Sequence, residues 1–556
     1  MNSNHTGVSK WSGTLAIAIL TGAWIYMMSR IPTLDFDESL YRSISQAMKL
    51  RGDPWLMEWD SSPLFHKPPL LYWLIVATSA LLDYGAETVS SLSSRVPSIL
   101  SSIGILFSLR FGMNYIMPPP LSRGAESIPV MAFLCAGFAV LTSGAVIFDP
   151  LQSLALMPAL LIPTRIFLRD EMPSIQTWLF FGGSLALATM IKGLNGILIP
   201  SLAFGMHLLF SMKNRGFLKS FQLGLRFFGL AFLPAALLSA AFFFLLHRKI
   251  GPGFTEEFFL VQHFGRSRSP MEAHSGGVLY HPLFILFGGA FLTPVLMRAW
   301  KDRRPDLIRF GFPLTFSLAF VLAFTLSATK LPHYTWPVWP ALALFAGILH
   351  SLRENVEIQS KNQTWTSRVT DMLSCLPVFL LGLLLFTLGS ASDLVFSRFS
   401  GTSQGSALLS SILPFTGFQK TAFWIGSLSC FVFVIRARAL SRNLRVSALL
   451  SMIALGSIVF GLGPTLDSAM VRPFQLIAED LRVRNPAPGD CIRYTGPLSA
   501  TFSLALGPKL IHNRCDPAET KFLVTPEWKS DECLAAGFTE LSRRGHLILC
   551  ESNPRN

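Results

Sequence analysis

The stretch WLFFGGSLALATMIKGLNGILIPSLAFGMHLLF, residues 178–210, decides the fold class. It is too long for a single membrane-spanning helix, which needs about 20 consecutive apolar residues. Lys192 interrupts it, and Gly193 and Gly196 follow closely. Because glycine permits tight turns, the stretch predicts two spans joined by a hairpin with Lys192 at its tip.

Composition extends this interpretation to the whole chain. The 556 residues are 51% hydrophobic and 14% charged, with a mean hydropathy of +0.47, whereas soluble domains are about 25% charged. The sequence therefore predicts an α-helical polytopic membrane protein with about thirteen spans. The predicted spans are residues 12–29, 93–116, 129–146, 150–168, 176–191, 193–212, 226–246, 279–299, 308–328, 334–350, 372–391, 419–435 and 446–463.

The positive charges explain themselves by topology. The formal net charge is +14, but the basic residues form short clusters between apolar stretches, which argues against nucleic acid as a partner. With a cytoplasmic N-terminus, the Lys and Arg clusters fall in every inner loop, as the positive-inside rule requires. The outer segments then include 30–92, 247–278, 329–333 and the tail from residue 464 onward.

Two domains are predicted. Residues 1–464 form the transmembrane domain, whose first outer loop (30–92) contains interface helices, including the short apolar run 68–82. Residues 465–556 change to alternating strand-like and amphipathic runs, which predicts a small outer α/β soluble domain.

The tail holds four cysteines, Cys491, Cys515, Cys533 and Cys550. An even number in an oxidising compartment favours disulfides, and three pairings are open. Zinc binding is the alternative, but no two of these cysteines have the short spacing that zinc ribbons use.

Polar residues of the first outer loop are candidates for chemistry. Asp37, Glu38 and Tyr41 begin an amphipathic stretch, and Asp37 and Tyr41, four residues apart, share a helix face. The alternative is that the two acids only offset the helix dipole. Lys67 is held between an aromatic pair and a double proline, which suits a phosphate group; the alternative is a lysine that snorkels beside an aromatic belt.

Further candidates lie at the outer ends of spans. Lys192 and Lys330 stand at outer turns, against the trend that places positive charge inside, although both could be snorkelling end residues. Asp149 precedes Pro150, so it could act in the site or merely as a helix N-cap. Arg266 lies in the outer loop 247–278. Several cations with a carboxylate on one face suit transfer from an anionic lipid phosphate.

These residues also carry a family resemblance. Asp37-Glu38 with Tyr41, the stretch HKPPLLYW at 66–73, Lys192-Gly193, and residues 327–334 around Lys330 resemble the aminoarabinose transferase (ArnT-like) branch of the protein O-mannosyltransferase-like families. These are bacterial glycosyltransferases of the GT-C fold. The resemblance covers most of the chain, and it departs at Leu40, where the family usually has arginine, and at His66, where it often has glutamate.

The resemblance implies inverting transfer of a monosaccharide from a polyprenyl-phosphate donor to lipid A, a protein hydroxyl or another envelope acceptor. It places the chain in the bacterial inner membrane, with its site facing the periplasm. It implies three sets of residues: catalytic Asp37, Glu38 and Asp149; donor-phosphate-binding Lys67, Lys192, Arg266 and Lys330; and substrate-binding Tyr41, Tyr72, His333 and Tyr334. No cofactor is certain, and a divalent metal at His66 and His274 is left open.

A transporter or flippase of a lipid-linked substrate is the alternative function. Transporters tend to carry polar residues near the bilayer midplane and repeated halves, and neither is clear in this chain. A scaffold without catalysis would leave the outer lysines unexplained. The enzyme hypothesis requires Asp37, Lys67 and Lys330 to meet at one outer cavity.

Overall fold

A computed structural model describes residues 19, 21–28, 30–31, 37–59, 62–118, 124–271, 274–303, 306–353, 365–391, 415–440, 443–484, 490–495, 520–535 and 537–552. Within these ranges, eight helices are long and apolar enough to cross a membrane, or nine if one bent pair forms a single span. The multi-pass helical architecture is thus confirmed. The count of thirteen stays a prediction, since three further apolar helices are shorter and much of 12–29 lies outside the described ranges.

The helices follow one another with short connections. In the first part they are Asp37–Arg51, Leu70–Leu82, Ser91–Ile116, Ile128–Leu134, Gly137–Thr142, Phe148–Ala155, Met157–Arg169, Ile175–Lys192, Asn195–Arg215, Phe217–Phe227, Phe228–Phe232 (π-helical) and Leu233–Ile250. Next come Pro252–Thr255, Glu256–Gly265 (π-helical), Arg266–Arg268, Tyr280–Gly288, Leu292–Arg303, Leu307–Phe310 and Phe312–Leu326. The last are Val338–Arg353, Trp365–Ser390, Gly417–Leu440, Leu444–Leu466, Asp467–Val471 (π-helical), Arg472–Val483 and Asp531–Ala535. Short 3₁₀ turns cover Ala125–Ser127, Pro332–Thr335 and Glu527–Lys529.

The hairpin predicted around Lys192 is present. The Ile175–Lys192 helix ends at Gly193, whose φ of +111° lies in the region that favours glycine. The Asn195–Arg215 helix returns so closely that a Cβ at Gly196 would lie 2.4 Å from the carbonyl carbon of Ala188. The glycines of this stretch therefore permit both the turn and the close packing of the two helices.

Some runs that the sequence predicts as continuous spans are broken in the structure. The run 129–146 is divided between Leu134 and Gly137, and the run 279–299 bends by 94° between Gly288 and Leu292. At the bend, the backbone lies against an indole ring, since a Cβ at Gly289 would come within 2.8 Å of Trp339. Packing from a distant helix causes this break, which hydropathy cannot reveal.

The first outer loop is fastened to the membrane domain. Its Asp37–Arg51 helix packs against the Leu70–Leu82 helix, which packs on Ser91–Ile116. Strands β1 (Glu58–Trp59) and β2 (Ser62–Pro63) pair antiparallel between the two loop helices. The loop thus forms a folded layer, as the predicted interface helices require.

Beneath this layer, a buried ion pair joins Glu38 to Arg95, with 3.3 Å between the guanidinium and the carboxylate. Glu38 also accepts a hydrogen bond of 2.8 Å from the Val146 amide. The pair therefore ties the start of the first outer helix to the Ser91–Ile116 helix and to the segment before Phe148.

The tail contains the predicted sheet with a packed helix. Strands β3 (Cys491–Tyr494), β4 (Thr520–Pro526), β5 (Phe538–Arg544) and β6 (Leu547–Ser552) are ordered β3-β4-β6-β5, with β3 and β4 parallel and the other pairs antiparallel. The Arg472–Val483 helix buries its apolar face in the same small core. The domain limit at 464/465 stays a prediction.

Disulfides rather than zinc occupy the described cysteines of the tail. Cys533 is bonded to Cys550, and Cys491 is also disulfide-bonded. Cys515 lies outside the described residues. The zinc alternative is wrong for the three described cysteines because their sulfurs are already in covalent bonds.

Candidate active site

A cavity of about 230 Å³ opens beside the first outer loop. Its walls come from separate segments of the chain, which the fold brings together. It is lined by Asp37, Leu40, Tyr41, His66, Lys67, Arg266, His274, Leu331, His333 and Tyr334. Most of the residues predicted for the site therefore do meet, although their roles stay predictions.

The Asp37–Arg51 helix supplies one wall. Asp37 is its first residue and Tyr41 lies one turn later on the same face, so both reach the cavity. The Tyr41 ring packs edge-on against Phe148 at 5.0 Å and lies 5.9 Å from Tyr72. Burial, with the Asp37 carboxylate, raises the pKa of Tyr41 well above its usual value, so this hydroxyl keeps its proton and can donate it to a ligand.

Tyr72 stands behind this wall, outside the lining. Its ring also packs edge-on against Phe148, at 5.5 Å. It therefore supports Tyr41, and the structure does not place it where the substrate-binding prediction expected it.

Lys67 brings a cation into a desolvated place. Burial lowers its pKa to about 7, and Arg266 and Lys192 add repulsion that Asp37 and Asp149 only partly offset. The cavity thus has an excess of positive charge. A bound anion would restore the charged state of Lys67.

Arg266 is held by two side chains. Its Nε donates to Gln262 Oε1 at 2.6 Å, and its Nη1 donates to the Tyr334 hydroxyl at 3.3 Å. Gln262 lies four residues before Arg266, and that spacing was the sequence signal that could have revealed it. The planar guanidinium is thereby fixed at the cavity wall, where it suits a phosphate.

Asp149 and Lys192 form a buried ion pair behind the cavity. The Lys192 ammonium also lies 5.1 Å from the centre of the Tyr334 ring. The N-cap interpretation of Asp149 is wrong, because Ile147 occupies the N-cap and the carboxylate is turned to Lys192. The snorkelling interpretation of Lys192 is also wrong, since its side chain is buried.

Two predicted site residues lie elsewhere. Glu38 is engaged with Arg95 rather than facing the cavity. Lys330 turns its ammonium to the carbonyls of Phe324 (3.1 Å), Thr325 and Ser327 at the end of the Phe312–Leu326 helix. The expected meeting of Asp37, Lys67 and Lys330 therefore holds for the first two only, because Lys330 satisfies helix carbonyls that would otherwise lack donors.

The histidines of the cavity do not form a metal cluster among the described residues. No group of three His, Cys, Asp or Glu side chains there could hold a metal ion. His66 lies 3.4 Å from Glu257, yet burial and the nearby Lys67 lower its pKa to about 3, so this is a contact of a neutral imidazole rather than an ion pair. The other cavity histidines are His274 and His333.

A larger cavity, of about 730 Å³, lies between the Trp365–Ser390 and Gly417–Leu440 helices. Its walls are mostly apolar, and its charged residues are Asp371 and Arg436. Asp371 is already paired with Arg298 and Lys301. Size alone does not make it the reaction site, because the smaller cavity holds the carboxylate and cations that transfer chemistry needs.

Comparisons with known proteins agree with this description. No protein-family model matches the chain. An uncharacterized protein of Aquifex aeolicus is 27% identical over 331 residues, which cover 60% of this chain and 70% of that protein. An undecaprenyl phosphate-alpha-4-amino-4-deoxy-L-arabinose arabinosyl transferase of Pseudomonas fluorescens is 27% identical over 62% of this chain, and the match spans 58% of that transferase.

Solved structures show the same fold over nearly the whole chain. The crystal structure of ArnT from Cupriavidus metallidurans bound to undecaprenyl phosphate has a TM-score of 0.73 at 17% identity, covering 98% of this chain and 99% of that one. The archaeal oligosaccharyltransferase AglB from Archaeoglobus fulgidus has a TM-score of 0.51 at 9% identity, covering 98% and 75%. The ArnT-like fold that the sequence resemblance implied is confirmed, and these comparisons give the transporter alternative no support.

Proposed function

We propose that this chain is an ArnT-like glycosyltransferase that moves a monosaccharide from a polyprenyl-phosphate donor to an envelope acceptor, with lipid A favoured over a protein hydroxyl. The observation that carries the proposal is the meeting of Asp37, Lys67 and Arg266 at one cavity. The fold of ArnT and the names of the Pseudomonas relatives support it.

In the proposed reaction, the bond between the sugar's anomeric carbon and the donor phosphate oxygen breaks while a bond to the acceptor oxygen forms. Asp37 takes the acceptor's proton, or orients an acceptor that is already ionised. The departing polyprenyl phosphate keeps the electron pair of the broken bond, and Lys67 and Arg266 stabilise its charge. Attack from the side opposite the phosphate inverts the anomeric centre.

Other residues hold these groups in place. The Asp149–Lys192 pair supports Tyr334, whose hydroxyl receives the Arg266 guanidinium. We assign Tyr41, His333 and Tyr334 to substrate contact because they line the cavity. Lys330 acts at a distance: its own amide bonds to the His274 carbonyl at 3.0 Å and fastens the loop that precedes the Tyr280–Gly288 helix.

The distribution of positive charge supports an orientation in which this cavity faces the periplasm from the bacterial inner membrane. Clusters such as Lys213, Arg215 and Lys219 lie at the ends of helices predicted to be cytoplasmic. A donor lipid in the outer leaflet would then reach the cavity laterally. The tail sheet, residues 465–556, would be periplasmic, which agrees with its disulfide.

The decisive experiment replaces Asp37 by Asn in membranes supplied with the polyprenyl-phosphate sugar. Removal of a general base costs roughly 10²–10⁴-fold in rate, so we expect transfer to become undetectable or nearly so at unchanged protein level. Asp53→Asn is the matched control, since Asp53 is exposed in the same loop and accepts a bond from the Trp55 amide that asparagine preserves.

Full activity of Asp37→Asn would remove Asp37 from the reaction and with it the proposed mechanism. The acceptor is identified by comparing mass spectra of lipid A and of envelope glycoproteins between the wild-type and deletion strains. A sugar adduct lost from lipid A supports our assignment, whereas one lost only from proteins overturns it.

A further inference from the structure

We infer that His263 is a positioning residue that fastens the turn after Lys192 to the segment carrying Arg266, and so fixes the separation of the two cations around the donor phosphate. The inference deepens the proposed function and rests on it. His263 does not line the cavity, and it is separate from the groups to which we assign chemistry.

The hydrogen bonds of His263 define its state. Its Nε2 lies 3.2 Å from the amide nitrogen of Leu194, and its Nδ1 lies 2.8 Å from the carbonyl oxygen of Phe258. A backbone carbonyl only accepts and a backbone amide only donates. The ring is therefore neutral, with its proton on Nδ1, and Nε2 is the acceptor that holds the turn. Burial, together with the nearby Lys67 and Arg266, lowers the pKa of His263 to about 4, in agreement with this state.

The turn is shaped to receive the imidazole. A Cβ added at Gly193 would lie 2.4 Å from His263 Nε2 and 3.0 Å from the Phe258 ring. Such distances are too short for any side chain, so the backbone itself lies against the histidine. Gly193 also has a φ of +111°, so glycine is required here both by backbone conformation and by space.

This contact closes a ring of interactions. Lys192, two residues before Leu194, places its ammonium 5.1 Å from the Tyr334 ring centre. The Tyr334 hydroxyl accepts from Arg266 at 3.3 Å, and Arg266 follows His263 by one helical turn. Every other link in the ring involves a group in or beside the cavity. The bond from Leu194 to His263 is the link that can be altered without touching them.

The Arg266 segment would remain attached without this bond. Its other side is joined to the 327–330 turn by the Thr329 amide, which donates to the Arg266 carbonyl at 3.1 Å, and by the Ala328 amide, which donates to the Ser267 carbonyl at 3.2 Å. Loss of the histidine should therefore loosen the spacing of the cations rather than unfold the loop.

The test compares two amide replacements. In His263→Gln, the side-chain oxygen can reach the position of Nε2 and accept from Leu194, whereas His263→Asn can reach only the Nδ1 position. Both lose the ring and its contact with Phe258, which has a centroid distance of 4.6 Å, so they differ in the acceptor alone. His247→Asn is the control, because His247 is an exposed histidine that precedes the same loop.

We expect His263→Asn to raise the KM for the donor and to weaken binding of polyprenyl phosphate about tenfold, with kcat within about threefold of the wild type. His263→Gln should restore both values to within about threefold, and His247→Asn should change neither. Equal losses in both His263 variants, or no loss in either, would overturn the inference. If the wild type binds polyprenyl phosphate but transfers no sugar, the proposed function fails, and the binding comparison still decides the role of His263.

Discussion

Lys67 makes donor binding depend on pH in a calculable way. In the empty cavity, burial and the neighbouring Arg266 and Lys192 lower its pKa to about 7. A bound phosphate adds negative charge beside the ammonium and raises that pKa, so binding takes up a proton. Affinity is therefore greatest below pH 7, where Lys67 is already charged, and falls as the pH rises above 7.

The magnitude follows from linkage. With a pKa of about 7 in the empty site and a much higher one in the complex, the affinity falls roughly tenfold between pH 6 and pH 8, equivalent to about 1.4 kcal/mol. The assay is equilibrium binding of a polyprenyl phosphodiester to the purified protein. A diester is needed because a phosphate monoester itself titrates near pH 6.

Lys67→Arg is the informative variant, because the guanidinium stays charged over this range and should flatten the profile. Lys49→Arg is the matched control: Lys49 lies on the first outer helix, donates to Ser79 at 2.9 Å and does not line the cavity. It should keep the wild-type slope. A flat wild-type profile, or an unchanged slope in Lys67→Arg, would refute the assignment of this lysine to the phosphate.

Three further predictions concern the scaffold. Glu38→Gln should lower the free energy of unfolding by roughly 3–5 kcal/mol, since it leaves the Arg95 cation buried without its partner; thermal melting in detergent measures this, and wild-type melting would show that the pair is dispensable. Gly193→Ala should reduce donor affinity at least tenfold, because its methyl group has no space and its φ is unfavourable; binding equal to the wild type would contradict the tight turn. Cys533→Ala with Cys550→Ala should cost about 2–4 kcal/mol in the tail sheet, which faster limited proteolysis would reveal and an unchanged cleavage rate would refute.

The membrane fold was predictable because it depends on local properties. Apolar length and Lys/Arg asymmetry act within one span or loop, and so the hairpin at Lys192 was found from its glycines alone. The break at Gly289 was not predictable, since its cause is Trp339 on a later helix. Hydropathy records how apolar a run is and carries no information about what packs on it.

The site was predictable to the extent that its residues interrupt the local pattern. Asp37 and Lys67 stood out as charges at an outer membrane face, and the cavity contains both. The partners of Asp149 and Lys330 were hidden: one is the distant Lys192, and the other is a set of backbone carbonyls with no sequence signature. Side-chain direction, which decides whether a lysine faces a substrate or a helix end, is set by tertiary packing.

The 94° bend between Tyr280–Gly288 and Leu292–Arg303 has a consequence for biogenesis. Neither half is long enough to cross the hydrocarbon core alone, and exposed bent backbone is not tolerated in lipid. The bend becomes a sheltered structure only when Trp339 covers it, and Trp339 is synthesised later. The segment must therefore wait beside the translocon, or in contact with earlier helices, until the Val338–Arg353 helix has been inserted, which makes this corner of the protein among the last to reach its final packing.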